Sequence, residues 1–142
     1  MKRIFSFTLL CVSLLLAGCP SGTQQQKMAQ AAQDASGIVL SFQQGEIVAH
    51  QSGAVSDADH KFIEEQLVTI STLGKTTDSC IRGATSNGGA VQCATTAINT
   101  IDQLKAQGAL YIKSPQANTD YQIAMLGLRT ALQVIVSLQG GK

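Results

Sequence analysis

Aromatic side chains are nearly absent from this chain. It has no tryptophan, and phenylalanine and tyrosine together make up 4% of its 142 residues. Beyond residue 18 only Phe42, Phe62, Tyr111 and Tyr121 remain. A core must therefore rest on Ile, Leu, Val and Ala. Charge is scarce as well, with ten Lys+Arg against nine Asp+Glu. No basic surplus exists to form the patch that a nucleic-acid partner requires. The same shortage argues against a polybasic grip on lipid headgroups. The polar positions are mostly Gln, Thr and Ser. So lightly charged a surface repels its neighbours little, which leaves self-association or a protein partner open; Gln is equally an ordinary exposed helix former. Strand signals are also nearly missing, since Val39-Leu40 and Val134-Ile135 each lie inside a helical period.

The N-terminus is the most specific segment. Met1-Lys2-Arg3 is basic, and Ile4 to Leu16 is mostly apolar. That run of about 13 residues suits a signal-peptide core. It falls short of the roughly 18 apolar residues that a membrane span takes. Leu16-Ala17-Gly18-Cys19 follows and resembles the lipobox of bacterial lipoprotein precursors. The resemblance implies that Cys19 receives a diacylglycerol, that residues 1–18 are removed, and that the new amino terminus gains a fatty acyl chain such as palmitate. Several acyl chains hold a protein on a membrane far more firmly than one, at about 0.8 kcal/mol per buried methylene. By the same resemblance, aspartate after the cysteine retains a lipoprotein in the inner membrane. Pro20 stands there instead, which implies the outer membrane of a Gram-negative cell, facing the periplasm. Residues 19–23 would form a short lipidated tether and residues 24–142 a single domain. Removal of Lys2 and Arg3 leaves eight basic against nine acidic side chains, a net charge of −1.

Four amphipathic segments follow the tether. From about Thr23 to Gln51, Met28, Ala31, Ala35, Ile38, Phe42 and Ala49 trace one helical stripe, with Gly45 filling the gap before Ala49. Gly37 and Gly45 cost a helix up to about 1 kcal/mol each, and close approach of a neighbouring helix would explain them. Ser52-Gly53 ends this helix. Ser56 begins the next, with Asp59 three residues on in a near capping box; Asp57 and Asp59 complement the helix N-terminus. Ile63, Leu67, Ile70, Leu73 and Ile81 carry the second stripe to about Arg82. Gly83 to Gly89 reads as a loop. Val91, Ala94, Ile98, Ile101 and Leu104 form the third stripe, which continues to Tyr111 unless Gly108 ends it early. Ser114-Pro115 restarts the chain as cap and first helical residue. Ile123, Leu126, Leu128, Ala131, Leu132, Ile135 and Leu138 form the fourth stripe, and Gly140-Gly141 ends it. Similar long helices with short links predict an all-α, antiparallel, up-down bundle of about four helices. The fourth is the most apolar and is expected to be fully buried, or else to present a face to a partner.

Of the four cysteines, Cys11 leaves with the signal and Cys19 carries lipid. Cys80 and Cys93 remain, in a chain addressed to an oxidising compartment. They flank the Gly83–Gly89 loop almost symmetrically, so a disulfide across the second helical hairpin is expected. C-x12-C is not the C-x-x-C of thiol oxidoreductases.

No catalytic or metal site is expected. Gly74-Lys75-Thr76 lacks the earlier glycine of a phosphate loop, since residue 69 is Thr. His50 and His60 flank the first turn with Asp57 and Asp59 nearby, and a hairpin would bring them towards each other. No ligand spacing such as H-E-x-x-H supports a metal there, so two exposed histidines are expected. Glu64 and Glu65 point about 100° apart on a helix and do not converge for acid–base work. Lys142, after two glycines, resembles the terminal lysine that murein lipoproteins join to peptidoglycan. That resemblance covers the lipobox and one residue, because the family's mature chain is a single heptad helix. The leading expectation is a non-enzymatic binding or scaffold module, anchored to the envelope membrane and contacting an envelope protein or itself. The alternatives are a peptidoglycan tether through Lys142 and a small ligand carrier within the bundle. No cofactor is implied beyond the covalent lipid.

Overall fold

A computed structural model describes residues 24–140. The signal peptide, the lipobox residues Leu16, Ala17 and Gly18, the lipidation residue Cys19, the tether 19–23 and the terminal Gly141 and Lys142 lie outside the described residues. Four helices account for nearly all of the rest: α1 Gln24–Gln51, α2 Asp57–Gly83, α3 Asn87–Tyr111 and α4 Pro115–Gly140. No strand occurs among the described residues. The helices pack in a ring, α1 on α2, α2 on α3, α3 on α4 and α4 back on α1. This is the expected antiparallel up-down bundle. The seams that α4 makes with α3 and α1 are the most extensive, and the α1–α2 seam is the sparsest.

Local chemistry sets the helix ends. Gly53 adopts φ +76°, and the Gly53 and Ala54 amides donate back to the carbonyls of His50 and Ala49 at 2.9 Å. This is the left-handed glycine cap that terminates a helix and satisfies its last carbonyls. Ser56 caps α2, its hydroxyl accepting from the Asp59 amide at 3.2 Å. Ser86 caps α3 by accepting from the Gly89 amide at 3.2 Å. The Gly83–Gly89 loop is consequently shorter than expected: only residues 84–86 leave the helices, and Gly88 and Gly89 stand inside the first turn of α3. Gly108 does not end α3, which runs through it to Tyr111.

The core is aliphatic, with one aromatic at its centre. Ile63, Ile101, Tyr121, Met125 and Ile135 are the largest fully buried side chains. The Tyr121 hydroxyl donates to the Leu104 carbonyl at 3.1 Å, and its ring meets the Phe42 ring edge-on at 5.8 Å. A smaller cluster at the opposite end gathers Ala31, Ala94 and Ile135 with Met28 and Ile81. The start of α1, the end of α2, the start of α3 and the end of α4 therefore share one end of the bundle. The α1–α2 turn and the α3–α4 link share the other, about 40 Å away for helices of this length.

Three expectations are corrected. Gly37 and Gly45 mark no close approach, because a Cβ at either would meet nothing within 4 Å. The close approaches are at Gly108, where a Cβ would collide with the Tyr121 ring, and at Gly127, where it would lie 3.1 Å from Ile38. The gap in the first stripe is filled by Glu46, which is 6% exposed, and not by Gly45. Last, α4 is not wholly buried. Its inner face carries Tyr121, Ala124, Met125, Leu128, Ala131 and Ile135, while Ile123 is 63% and Leu126 52% exposed. Their bulk and spacing put them on the same apolar helix, but on its outer side.

Candidate functional site

The polar side chains that matter most are gathered at the end bearing the α1–α2 turn. The glycine cap at Gly53 reverses the chain there and brings the last turns of α1 beside the first turns of α2. His50 and His60 face each other across this reversal. Their rings stack with centroids 3.8 Å apart and planes 4° from parallel. The hairpin thus unites the pair as its position allowed, but the two histidines are half-buried and not the exposed pair expected. Packing on each other and on the corner covers them.

Carboxylates bracket the stack. Glu46 Oε1 lies 2.7 Å from His60 Nδ1, and Glu64 Oε1 lies 3.5 Å from His60 Nε2. Asp57 Oδ1 lies 2.9 Å from His50 Nε2. Glu46 is buried, and its second oxygen, Oε2, has no hydrogen-bond partner. The Glu46 hydrogen bond is the main influence on His60. Opposed by burial and reinforced by the charges of Glu46, Glu64 and Asp57, it raises the imidazole above its ordinary 6.5.

Asp59, one residue before His60, faces another way. Its carboxylate, 2% exposed, accepts from the Lys113 amide at 2.9 Å and the Ser114 amide at 2.7 Å, and from the Ser114 hydroxyl. Ser114 stands where a cap was expected, but its hydroxyl serves Asp59. Burial pushes the Asp59 pKa up, yet the hydrogen bonds from Ser114 and Lys113, together with Ser56, outweigh it and hold the carboxyl below its ordinary value. The carboxylate of Asp59 therefore does two things: it meets Ser56 at the start of its own helix and ties α2 to the α3–α4 link.

At the opposite end Cys80 and Cys93 meet at disulfide distance, with Cα atoms 5.9 Å apart. Below them an open groove of about 630 Å³ runs along the outer α2–α3 seam, lined by Leu73, Thr77, Thr96 and Ala97 with the two cysteines. It carries hydroxyls and methyls but no charge, and so offers no acid, base or nucleophile pair.

Among the described residues no group of three or more His, Cys, Asp or Glu side chains is arranged to hold a metal ion. The stacked imidazoles explain why the corner is not such a group, since parallel rings aim their nitrogen lone pairs side by side and not at one point. The sequence reading missed Glu46 and the tertiary role of Asp59. A signal for both existed: Glu46 continues the spacing from Phe42, and Asp59 precedes Ile63 by one helical turn.

Two further features bear on partners. On α4, Ile123, Leu126 and Val134 fall within one outward-facing stripe. That helix, from Pro115 to Leu138, is also the one among the described residues long and apolar enough to cross a membrane by length and composition alone. Its inner face nonetheless supplies much of the bundle core.

No protein-family model, curated protein or solved structure matches the chain.

Proposed function

We propose that the chain is a lipid-anchored protein of the bacterial cell envelope that works as a non-enzymatic helical binding or scaffold module. The observation that carries this reading is Leu16-Ala17-Gly18-Cys19, placed directly after a basic start and a short apolar run. Pro20 after the cysteine favours the outer membrane, with the bundle facing the periplasm. Four residues separate Cys19 from the first helical residue, Gln24. Such a link reaches at most roughly 18 Å, so the bundle would sit close to the leaflet. Its disulfide-bearing end would be nearest the lipid and its histidine corner farthest from it. The outward stripe of α4 supplies the contact surface for an envelope protein or a second copy.

The topology favours a scaffold over a peptidoglycan tether. Helix α4 ends at Gly140, at the end of the bundle where α1 begins. In the proposed orientation that end of the bundle would face the leaflet, away from the wall.

The test is fractionation and intact-mass measurement of wild type and Cys19→Ala in cells. The wild type should partition with membranes and carry the mass of its acyl chains. The variant should be released yet keep its helical circular dichroism. An unmodified Cys19 thiol in the mature protein would overturn the reading.

A further inference from the structure

The α1–α2 seam is the sparsest in the ring, and ionisable groups close its far end. Glu46 occupies a core position of α1, with Oε1 on His60 and Oε2 on nothing. A buried carboxylate is tolerated when an opposite charge and hydrogen bonds compensate it. With His60 protonated, Glu46 has a counter-charge 2.7 Å away. With His60 neutral, it keeps one uncharged donor and an unsatisfied oxygen in the interior.

The surroundings favour the protonated state. From α1, Glu46 and His50 face His60; from α2, Glu64 faces it directly and Asp57 through His50. Lys61 is exposed beside it in sequence. From the α3–α4 link, the Lys113 ammonium is taken up by the Leu110 carbonyl, and Asp59 is taken up by the Lys113 and Ser114 amides. The groups placed on His60 are thus three carboxylates, Glu46 among them, and one stacked ring. The ring of His50 lies flat against His60 and keeps water from that face.

We infer that one proton on His60 latches the far end of α1 to α2, and that its release as the pH rises frees this end of α1 while the disulfide end stays closed. The sign follows from the raised His60 value. Stability from the latch is complete below the unfolded-state pKa of 6.5 and is lost as pH climbs through the folded-state value. The released segment would be the turns of α1 that hold Glu46 to His50. The start of α1 is retained by its own cluster with α3 and α4.

The experiment is an NMR pH titration of the mature protein. The His60 ring signals are followed together with amide-exchange protection, corrected for the intrinsic pH dependence of exchange. His60 should titrate above 6.5. Protection at residues 46–50 should fall by about tenfold or more through that midpoint, the scale of one lost charged hydrogen bond. Protection at Ala94 to Ile101 should not change. In Glu46→Gln the His60 midpoint should return to the ordinary histidine range and the protection step should disappear. In His60→Gln the end of α1 should be weakly protected at every pH. An ordinary His60 midpoint in the wild type, flat protection across it, or a step that survives Glu46→Gln would overturn the latch.

Discussion

Asp59 and Ser114 are 55 residues apart in sequence and joined by two hydrogen bonds, one from the Ser114 amide and one from its hydroxyl. The Lys113 amide adds a third to the same carboxylate. One side chain on α2 therefore satisfies the backbone where the chain turns from α3 into α4. Asp59→Asn keeps the shape but replaces one acceptor oxygen with a donor that faces amide hydrogens. The variant should lose roughly 2–3 kcal/mol, as expected for charged hydrogen bonds broken at a buried site. Urea unfolding at neutral pH measures it. The wild type should also lose this contribution in acid. Because the folded pKa lies below the ordinary 3.8, stability from Asp59 is present above that value and disappears as pH falls through the folded one. In Asp59→Asn that part of the acid dependence should be missing.

The glycines divide into two kinds, and alanine substitution should separate them by sign. Gly37, Gly45 and Gly74 lie inside helices with open space where a Cβ would stand. Alanine at each should stabilise the fold by about 0.5–1 kcal/mol through reduced freedom of the unfolded chain. At Gly108 the same change would press a methyl against the Tyr121 ring, which is fully buried and anchored to the Leu104 carbonyl. Overpacking of that kind costs about 1–3 kcal/mol or more. Denaturation midpoints of the four single variants provide the check.

The helices were legible because the forces that form them are local. Apolar periodicity, the Ser56 cap and the Ser114-Pro115 restart place α1, α2 and α4 within a residue or so of their observed bounds. The link between α2 and α3 is shorter than its glycines suggest, because Ser86 caps a helix that runs straight through Gly88 and Gly89. The corner was less legible. A spacing of three from Phe42 points to Gly45, whereas the residue buried in the stripe is Glu46, at a spacing of four. Its burial depends on His60 arriving from another helix, a tertiary fact that periodicity does not contain. Asp59 is a similar case: its local role as a cap was readable, its bond to a link 54 residues away was not. The exposed side of α4 was half legible: so apolar a helix suggests a partner-facing surface, but Ile123 and Leu126 have the hydropathy of core residues, and hydropathy does not say which of them point outward.

The Cys80–Cys93 pair closes a short loop between two helices that the groove leaves thinly packed. Cross-linking so short a loop should contribute about 3 kcal/mol by limiting the unfolded chain. Reduction, or Cys80→Ser with Cys93→Ser, should lower stability by that amount without changing helix content. Non-reducing peptide mapping should recover one peptide containing both cysteines. Separate peptides with free thiols would mean that the pair does not bridge.

The outer stripe of α4 distinguishes a contact surface from a merely greasy helix. Ile123 and Leu126 are more than half exposed, so glutamine at both should change monomer stability by no more than about 0.5 kcal/mol each. Glutamine at Leu128, two residues along and buried against the other helices, should cost several times more, since it strands an amide in an aliphatic core. If the stripe serves the scaffold role, crosslinking in cells should trap the wild type with a partner or a second copy, and the exposed pair of substitutions should abolish those crosslinks while leaving anchoring and the thermal midpoint intact. Crosslinks that survive in Ile123→Gln/Leu126→Gln would move the contact to another face, and the exposed Leu40 and Val48 of α1 would be the next positions to replace.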